Sequence, residues 1–500
     1  MTIALDQLPA EVRTLVEGLQ IENHLLRELL RLERLKKYGP RSEKLSDLQL
    51  QLLGQEPLVT PAEIEHEARL VEADEQAKTP RVPCPERQHP GRLPFPPHLE
   101  RRIETIPVPP EECHCPLCQQ EKAVIGYEES EQLDMDPVKL FIRVVRREKR
   151  ACGDCQEGVV IAPVPARIVP KGKLGDELVI ELTDGKVERH LPVYRQCEAL
   201  RRDAGVELSR QTVCGVILHV GDLLEPIRQV LRADLLSGGY IQADETPFGV
   251  QSPEVRGRNH RGQIWTFGRP HGPVVFDFQM SRGRAGPREF LSGFQGILQS
   301  DGYSVYDQLG TGIVYAACLA HVRRKFHDAH LLSPEDPVPR ELVERIAQIY
   351  AVEAEAASGS APPEVRGALR QERSRPLMKS LKERVIAVRQ EVLPQSVLGK
   401  ACDYALGQWP RLEVFLEHGQ VEVDNNWAEN ALRPIVLGRK NFLHIGSEWA
   451  GPRLAALWSV YGTCRRLGIN TRAYLRDVLP RLADWPAKRV AELSPLLWNR

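Results

Sequence analysis

Apolar residues recur at helical spacing from Val12 to Lys37. Val12, Leu15, Leu19, Leu26 and Leu29 share an a/d register, and Leu25, Leu30 and Leu32 widen the stripe. Glu22 and Glu33 interrupt it, so the stripe fits either an amphipathic helix packed on its own chain or a short coiled coil between copies. Ten prolines between Thr79 and Pro110 remove backbone donors and predict an extended linker. β-rich segments follow, and from Lys171 to Val230 the spacing turns helical again. There a helix, a turn at Gly205 and a second helix capped by Ser209 make a helix-turn-helix candidate. Any helical hairpin with a glycine turn shares that pattern.

From Gly239 the period changes. YIQADETPFGV, GQIWTFGRP and PVVFDFQM are β-branched and aromatic runs between turn-rich pieces, which predicts three consecutive strands. GPREFLSGFQ predicts a helix, GILQSDGY a strand, and IVYAACLAHVRRKFHDA a strand running into a basic helix. The β-β-β-α-β-α-β order suits an α/β domain with a mixed sheet. From about Leu331 to His418 the chain reads as a helical insertion broken at ASGSAPPE, and another helical block runs from Asp424 to the end.

At 500 residues the chain exceeds what one core supports and predicts about three units. Its composition, 42% hydrophobic and 27% charged, is that of a globular protein rather than a disordered one. The net charge of −1 means that nucleic-acid affinity has to come from local basic clusters. Neither a charged start followed by an apolar run nor a stretch of about 18 apolar residues occurs, so we expect a cytoplasmic protein with no membrane partner.

Four of the eleven cysteines form two C-x-x-C pairs, Cys115/Cys118 and Cys152/Cys155, with 33 residues between them. In a reducing cytosol this spacing favours one tetrahedral Zn2+ clasped by two knuckles over disulfides, whereas a redox C-x-x-C needs only one pair. Four protein ligands leave no open coordination position, so this zinc is structural or DNA-binding. Cys84, Cys113 and His114 are spare.

Phosphodiester chemistry needs carboxylates on rigid elements to hold hard cations. Asp244 lies in an apolar strand pattern and Asp301 ends another, although Asp is depleted in strands. Each also has an ordinary explanation: Asp301-Gly302 is a turn signal, and Asp244 could be a solvated edge residue. Glu245 should face away from Asp244, because strand side chains alternate. In VDNNWAENALRPIVLGRKNF, Asp424 suits a helix N-cap; Glu429 falls inside the helix, where a surface pair with Arg433 would also explain it. Arg323, Arg324, Lys325 and His327 load one helix with positive charge. Such a run is usually a solvated face, but beside a phosphodiester-cleaving centre it would contact backbone phosphate.

The segments ADETPFGV, SDGYSVYD, CLAHVRRKF and DNNWAENALRPIVLGRKNFLHIGS, in this order, resemble the transposase of insertion-sequence family sixty-six. YGPRSEKL, the two C-x-x-C pairs, IVPKGK, HLPVYRQ and TRAYLRDVL extend the resemblance over almost the whole chain. Small departures are Gln119 where a glycine often follows the first knuckle, and Phe442 and His444 where the family commonly has Trp and Phe.

The resemblance implies an RNase H-like catalytic domain with a DDE triad falling on Asp244, Asp301 and Glu429. These would bind Mg2+ (or Mn2+) and carry out DNA strand cleavage and transfer; the alternative is a catalytically inert zinc-containing DNA-binding protein or repressor. Cys318 and His321 form a C-x-x-H resembling a signature of several DDE groups, which a buried cysteine and a helix-start histidine also explain. The expected DNA contacts are His321, Arg323, Arg324, Lys325, Arg433, Arg439 and Lys440. The expected partners are double-stranded DNA (element ends and target), further copies of the chain in a homo-oligomer, and accessory proteins encoded by the same element, with association to the nucleoid.

The expected fold is multidomain α/β with α-rich regions. Its order is an N-terminal helical segment (1–50), a linker (51–110), a zinc-binding domain (111–165) and a helix-turn-helix-like region (166–235). The first part of the catalytic core (236–330), a helical insertion (331–420), the Glu helix and basic segment (421–447) and a C-terminal helical region (448–500) complete it.

Overall fold

The computed structural model describes residues 95–114, 120–136, 139–151, 159–252, 258–358 and 361–498. The N-terminal apolar stripe, nearly all of the proline-rich linker and the four paired cysteines lie outside the described residues.

The described chain opens with β1 (Arg101–Ile106), β2 (Ala123–Asp136), β3 (Lys139–Ala151) and β4 (Val160–Ile161), arranged as β1-β3-β2 with β4 also on β3. β2 and β3 are long antiparallel neighbours, and Ala123 pairs with Ala151. The start of β2 and the end of β3 therefore lie at the same end of one hairpin. Cys113 is a buried thiol packed with Val108 and Ala162.

Three helices follow: α1 (Asp176–Val187), α2 (Val193–Ala204) and α3 (Arg210–Ser237). Gly205, at φ 65°, ends α2 in the left-handed conformation that costs glycine least. Ser209 Oγ accepts from Thr212 N at 3.0 Å and starts α3. α3 runs 28 residues and buries Val213, Val220, Leu224, Leu231 and Leu235, while its first turn is exposed.

The second sheet contains β5 (Tyr240–Val250), β6 (His260–Gly268), β7 (Val274–Gln279), then α4 (Ala285–Phe290), β8 (Gly296–Ser300) and β9 (Ile313–Ala317). Its order is β7-β6-β5-β8-β9, antiparallel from β7 to β5 and parallel from β5 to β9. The three strands from β5 to β7 match the three consecutive strands expected from the β-branched and aromatic runs. The helix expected between β8 and β9 shrinks to a three-residue 3-10 turn, Ser304–Tyr306.

A helical block follows: α5 (Leu319–Leu332), α6 (Pro337–Ser358), α7 (Pro363–Leu369), α8 (Arg375–Glu391), α9 (Val397–Leu412) and α10 (Val414–Glu417). The chain then returns through α11 (Asn426–Phe442), β10 (His444–Ile445), α12 (Ala450–Arg466) and α13 (Thr471–Leu482). Strand parity divides the core. Tyr240 and its partner Ile297 face the block, packed with Val322, Phe326, Leu342 and Trp409, whereas Ile241, Ala243 and Leu298 face α3 and α12.

The edge strand β7 is closed by α12: Ser459 Oγ accepts from Phe276 N at 2.8 Å, and Thr463 Oγ1 bonds both polar groups of Val274. No helix among the described residues is long and apolar enough to cross a membrane.

Candidate active site

β5 and β8 run parallel with Gln242 opposite Gln299. Two residues further along the same register stand Asp244 and Asp301, on the face of the sheet turned to the helical block. Beyond Gln242 the two strands part, and the edge of β5 is taken up again only by β10 at Gly249. The aspartates thus sit at the fork where parallel strands diverge at their carboxyl ends, the usual place for a ligand in an open α/β sheet. Asp301 also makes the turn read from its sequence: its Oδ1 accepts from Tyr303 N at 2.9 Å, and Gly302 adopts φ 84°.

The open stretch of β5 is covered by the chain that carries Glu429. Gln242 Nε2 donates to the Asp424 carbonyl at 2.8 Å, and its Oε1 accepts from Ala428 N at 3.2 Å. Gln299 Nε2 donates to the Glu422 carbonyl at 2.8 Å, and the Tyr240 hydroxyl accepts from Glu422 N at 3.1 Å. Tyr240, Gln242 and Gln299 are buried and bonded to one another. At the far end of α11, Arg439 donates to Thr246 Oγ1 and the Pro247 carbonyl. Polar side chains thus do here what a neighbouring strand does elsewhere, and they set the first turn of α11 against Asp244.

Asp424 is not the N-cap. The helix starts one residue later, after Asn425, because the Asp424 carboxylate turns back to accept from Asn426 N and Nδ2 and from the Tyr350 hydroxyl at 3.0 Å. Glu429 points inward, three-quarters buried, with Oε1 3.7 Å from His321 Nε2, and makes no pair with Arg433 among the ion pairs of the described residues. Glu429 Oε1 and His321 Nδ1 are both buried without a hydrogen-bond partner among the described residues. Cys318 ends β9 and precedes α5, and its fully buried sulfur accepts from Asn425 N at 3.4 Å.

The acids repel one another. Burial raises the Asp244 carboxyl well above the usual carboxylate range; Glu429, Glu245 and Asp301 push the same way, against the hydrogen bond from Glu245 N. Burial lowers His321, opposed by Glu429 and Asp301. Glu245 lies on the opposite face, as alternation requires. Its side chain is 3% exposed, with Oε1 held by Arg282 and Oε2 accepting from the Tyr306 hydroxyl at 2.7 Å.

Buried acids that repel one another, one with a carboxylate oxygen lacking a hydrogen-bond partner among the described residues, suit a hard divalent cation. Residues 171–453, more than half of the chain, match the family described as "Transposase IS66 family". The chain belongs to the IS66 transposase family. Residues 112–156 match the "zinc-finger binding domain of transposase IS66", 459–496 the "IS66 C-terminal element" and 25–103 the "Transposase C of IS166 homeodomain".

Three proteins of Sinorhizobium fredii, the uncharacterized proteins y4hP, y4qI and y4jD, are 31%, 32% and 32% identical to it. The alignments cover 94%, 95% and 100% of this chain and 88%, 88% and 98% of theirs. Membership supports a transposase role, with DNA as the partner, a divalent metal in the DDE transposase domain and zinc in the zinc-finger domain.

Within this IS66 chain the basic residues divide. Arg323, Arg324 and Lys325 are exposed along α5, while His321 on the same helix turns in to Glu429. Arg433 and Arg439 are half-buried, Arg439 bracing β5, and Lys440 is exposed. Sequence reasoning passed over Gln242 and Gln299. The available signal was a repeated Gln-x-Asp, in QAD and QSD, which places each glutamine on the same strand face as its aspartate.

Proposed function

We propose that this protein is a DDE transposase that cuts and joins DNA strands, with Asp244, Asp301 and Glu429 as its acidic triad on an RNase H-like core. The observation that carries the reading is that Glu429, from α11, and Asp301, after β8, both act electrostatically on buried Asp244 of β5, while Glu429 Oε1 is buried without a hydrogen-bond partner among the described residues. The strand order is consistent with it. Numbering the core strands from β5, the sheet runs 3-2-1-4-5, with the acids within strand 1, just after strand 4 and on a later helix.

Asp244, Asp301 and Glu429 would hold Mg2+ (or Mn2+), which would supply activation of the attacking oxygen and neutralisation of charge on the leaving oxygen. The chain's own contribution is position. The glutamine grip and Arg439 fix α11, Tyr404 donates to the Asp301 carbonyl at 2.6 Å, and the Asp301 turn orients that carboxylate. A bound cation would offset the repulsion that Glu429, Glu245 and Asp301 exert on the buried Asp244 carboxyl.

Exposed Arg323, Arg324, Lys325 and Lys440, with Arg433, would follow the phosphate backbone of element ends and target. Cys115, Cys118, Cys152 and Cys155 would share one structural Zn2+, a reading supported by the pairing of Ala123 with Ala151. In this reading 111–165 is the zinc-binding unit, and 236–330 with 421–447 is the catalytic core, interrupted by the helices of 331–420. The protein acts at the nucleoid as a homo-oligomer joined through the apolar stripe of 12–37, with accessory proteins of the same element.

The test is incubation of the full chain with duplex DNA carrying the element's terminal repeats. Nicking at the element end that requires Mg2+ or Mn2+ supports the reading. Tight binding with no cleavage in either metal would leave a zinc-containing DNA-binding protein instead.

A further inference from the structure

Cys318, His321 and Glu429 come from the end of β9, the first turn of α5 and the first turn of α11. One ligand atom from each lies within 4.8 Å of the other two, and the histidine and glutamate atoms are 3.7 Å apart. Ligand atoms of one tetrahedral zinc stand about 3.3 to 3.6 Å apart, given bonds of about 2.0 to 2.3 Å. A small side-chain rotation therefore closes the set.

The donors are one sulfur, one imidazole nitrogen and one carboxylate oxygen. That combination suits a borderline-soft cation and not Mg2+, which takes oxygen. The surroundings fit a bound thiolate, since the sulfur already accepts from Asn425 N at 3.4 Å, and the carboxylate is available, since Glu429 Oε1 has no hydrogen-bond partner among the described residues.

We propose that Cys318, His321 and Glu429 form a second metal site, selective for Zn2+ or a similarly soft divalent cation, whose occupation withdraws Glu429 from the acidic triad. Binding exchanges the thiol proton for the metal: the S–H bond breaks, the proton passes to water, and a metal–sulfur bond forms. Three protein ligands leave the fourth position to water, and the site is distinct in chemistry from the two C-x-x-C pairs. The binding site stands on these three residues alone; its inhibitory effect rests on the role proposed for Glu429.

The experiment uses the full chain with its paired cysteines already filled with Zn2+, titrated with Co2+ as an optical probe. Wild-type protein should bind one more Co2+ per chain than Cys318→Ser, with a sulfur-to-metal charge-transfer band in the near ultraviolet that the variant lacks. Equal stoichiometry and identical spectra overturn the proposal. Should Cys318→Ser fail to fold, His321→Asn must show the same missing equivalent, and a full complement of Co2+ in that variant overturns it too.

In a second arm, Zn2+ is added to Mg2+-supported strand cleavage, each protein being compared with its own zinc-free rate. The half-inhibitory Zn2+ concentration should rise at least about tenfold in Cys318→Ser. Co2+ binding through Cys318 with no inhibition by Zn2+ upholds the metal site and contradicts the role given to Glu429.

Discussion

The Gln242 side-chain amide donates to the main-chain carbonyl of Asp424 at 2.8 Å, joining residues 182 apart in the chain. The other atom of the same amide accepts from Ala428 N, the residue before Glu429. A leucine at 242 keeps the volume and leaves a buried donor and acceptor at the start of α11 unpaired. Gln242→Leu is therefore expected to lose about 2–4 kcal/mol of stability, read by thermal or urea unfolding. Its single-turnover cleavage rate should fall by more than about tenfold at saturating DNA and metal, as Glu429 drifts from Asp244. Because Gln242 and Gln299 share one network, the double variant Gln242→Leu/Gln299→Leu should lose less than the sum of the two. A variant that loses stability but none of its cleavage rate would mean that the glutamines do not position α11.

Much of this arrangement was legible in the residues. Alternation in YIQADETPFGV set β5 and the opposite facing of Asp244 and Glu245, and Gly205 and Ser209 marked the ends of their helices because both act within a few residues. The pairing of Asp244 with Asp301 was not legible from the chain alone: their separation of 57 residues acquires meaning only once β5 and β8 are parallel neighbours in register. Asp424 misled because its cap-like position is decided by Tyr350 and Asn426, and the first of these arrives from a distant helix. Glu429 was ambiguous for the same reason, since what separates a surface Glu–Arg pair from an inward acid is His321, brought by tertiary packing.

Glu245 adjoins Asp244 but is committed to Arg282 and Tyr306 on the other face. Glu245→Gln keeps the shape and most of the hydrogen bonding, so metal-dependent cleavage should stay within about tenfold of wild type. The midpoint of thermal unfolding should fall, because a buried charge-assisted bond to Arg282 is weakened. Loss of cleavage as complete as that expected for Asp244→Asn would place Glu245 among the metal ligands.

Exposed Arg323 and Lys325 belong to the proposed phosphate contacts. Replacing both with alanine should weaken binding to specific and unrelated duplexes alike, and should reduce the slope of log affinity against log salt by about two. An unchanged slope would assign these side chains to a solvated face.

Away from the site, burial pushes the Asp184 carboxyl up to about 6, opposed by the hydroxyl that Tyr461 donates to it. The folded protein thus holds a proton that the unfolded chain has released by about pH 4. Stability falls as pH rises from about 4 to 6 and is level above that. Asp184→Asn has no such proton, so wild type should lose about 2–3 kcal/mol relative to it across that window. An unchanged stability difference between wild type and Asp184→Asn at about pH 4.5 and about pH 7 would show that Asp184 is not so perturbed.

The account turns on the acids at the β5–β8 fork, and strand joining by Asp244→Asn tests it most directly. With Mg2+, pre-cleaved element-end DNA and a target duplex, the account predicts that the variant joins strands at least about a thousandfold more slowly than wild type. Its affinity for element-end DNA should be no lower than that of wild type. Joining within about tenfold of wild type, by a variant that binds the same DNA, would contradict the triad.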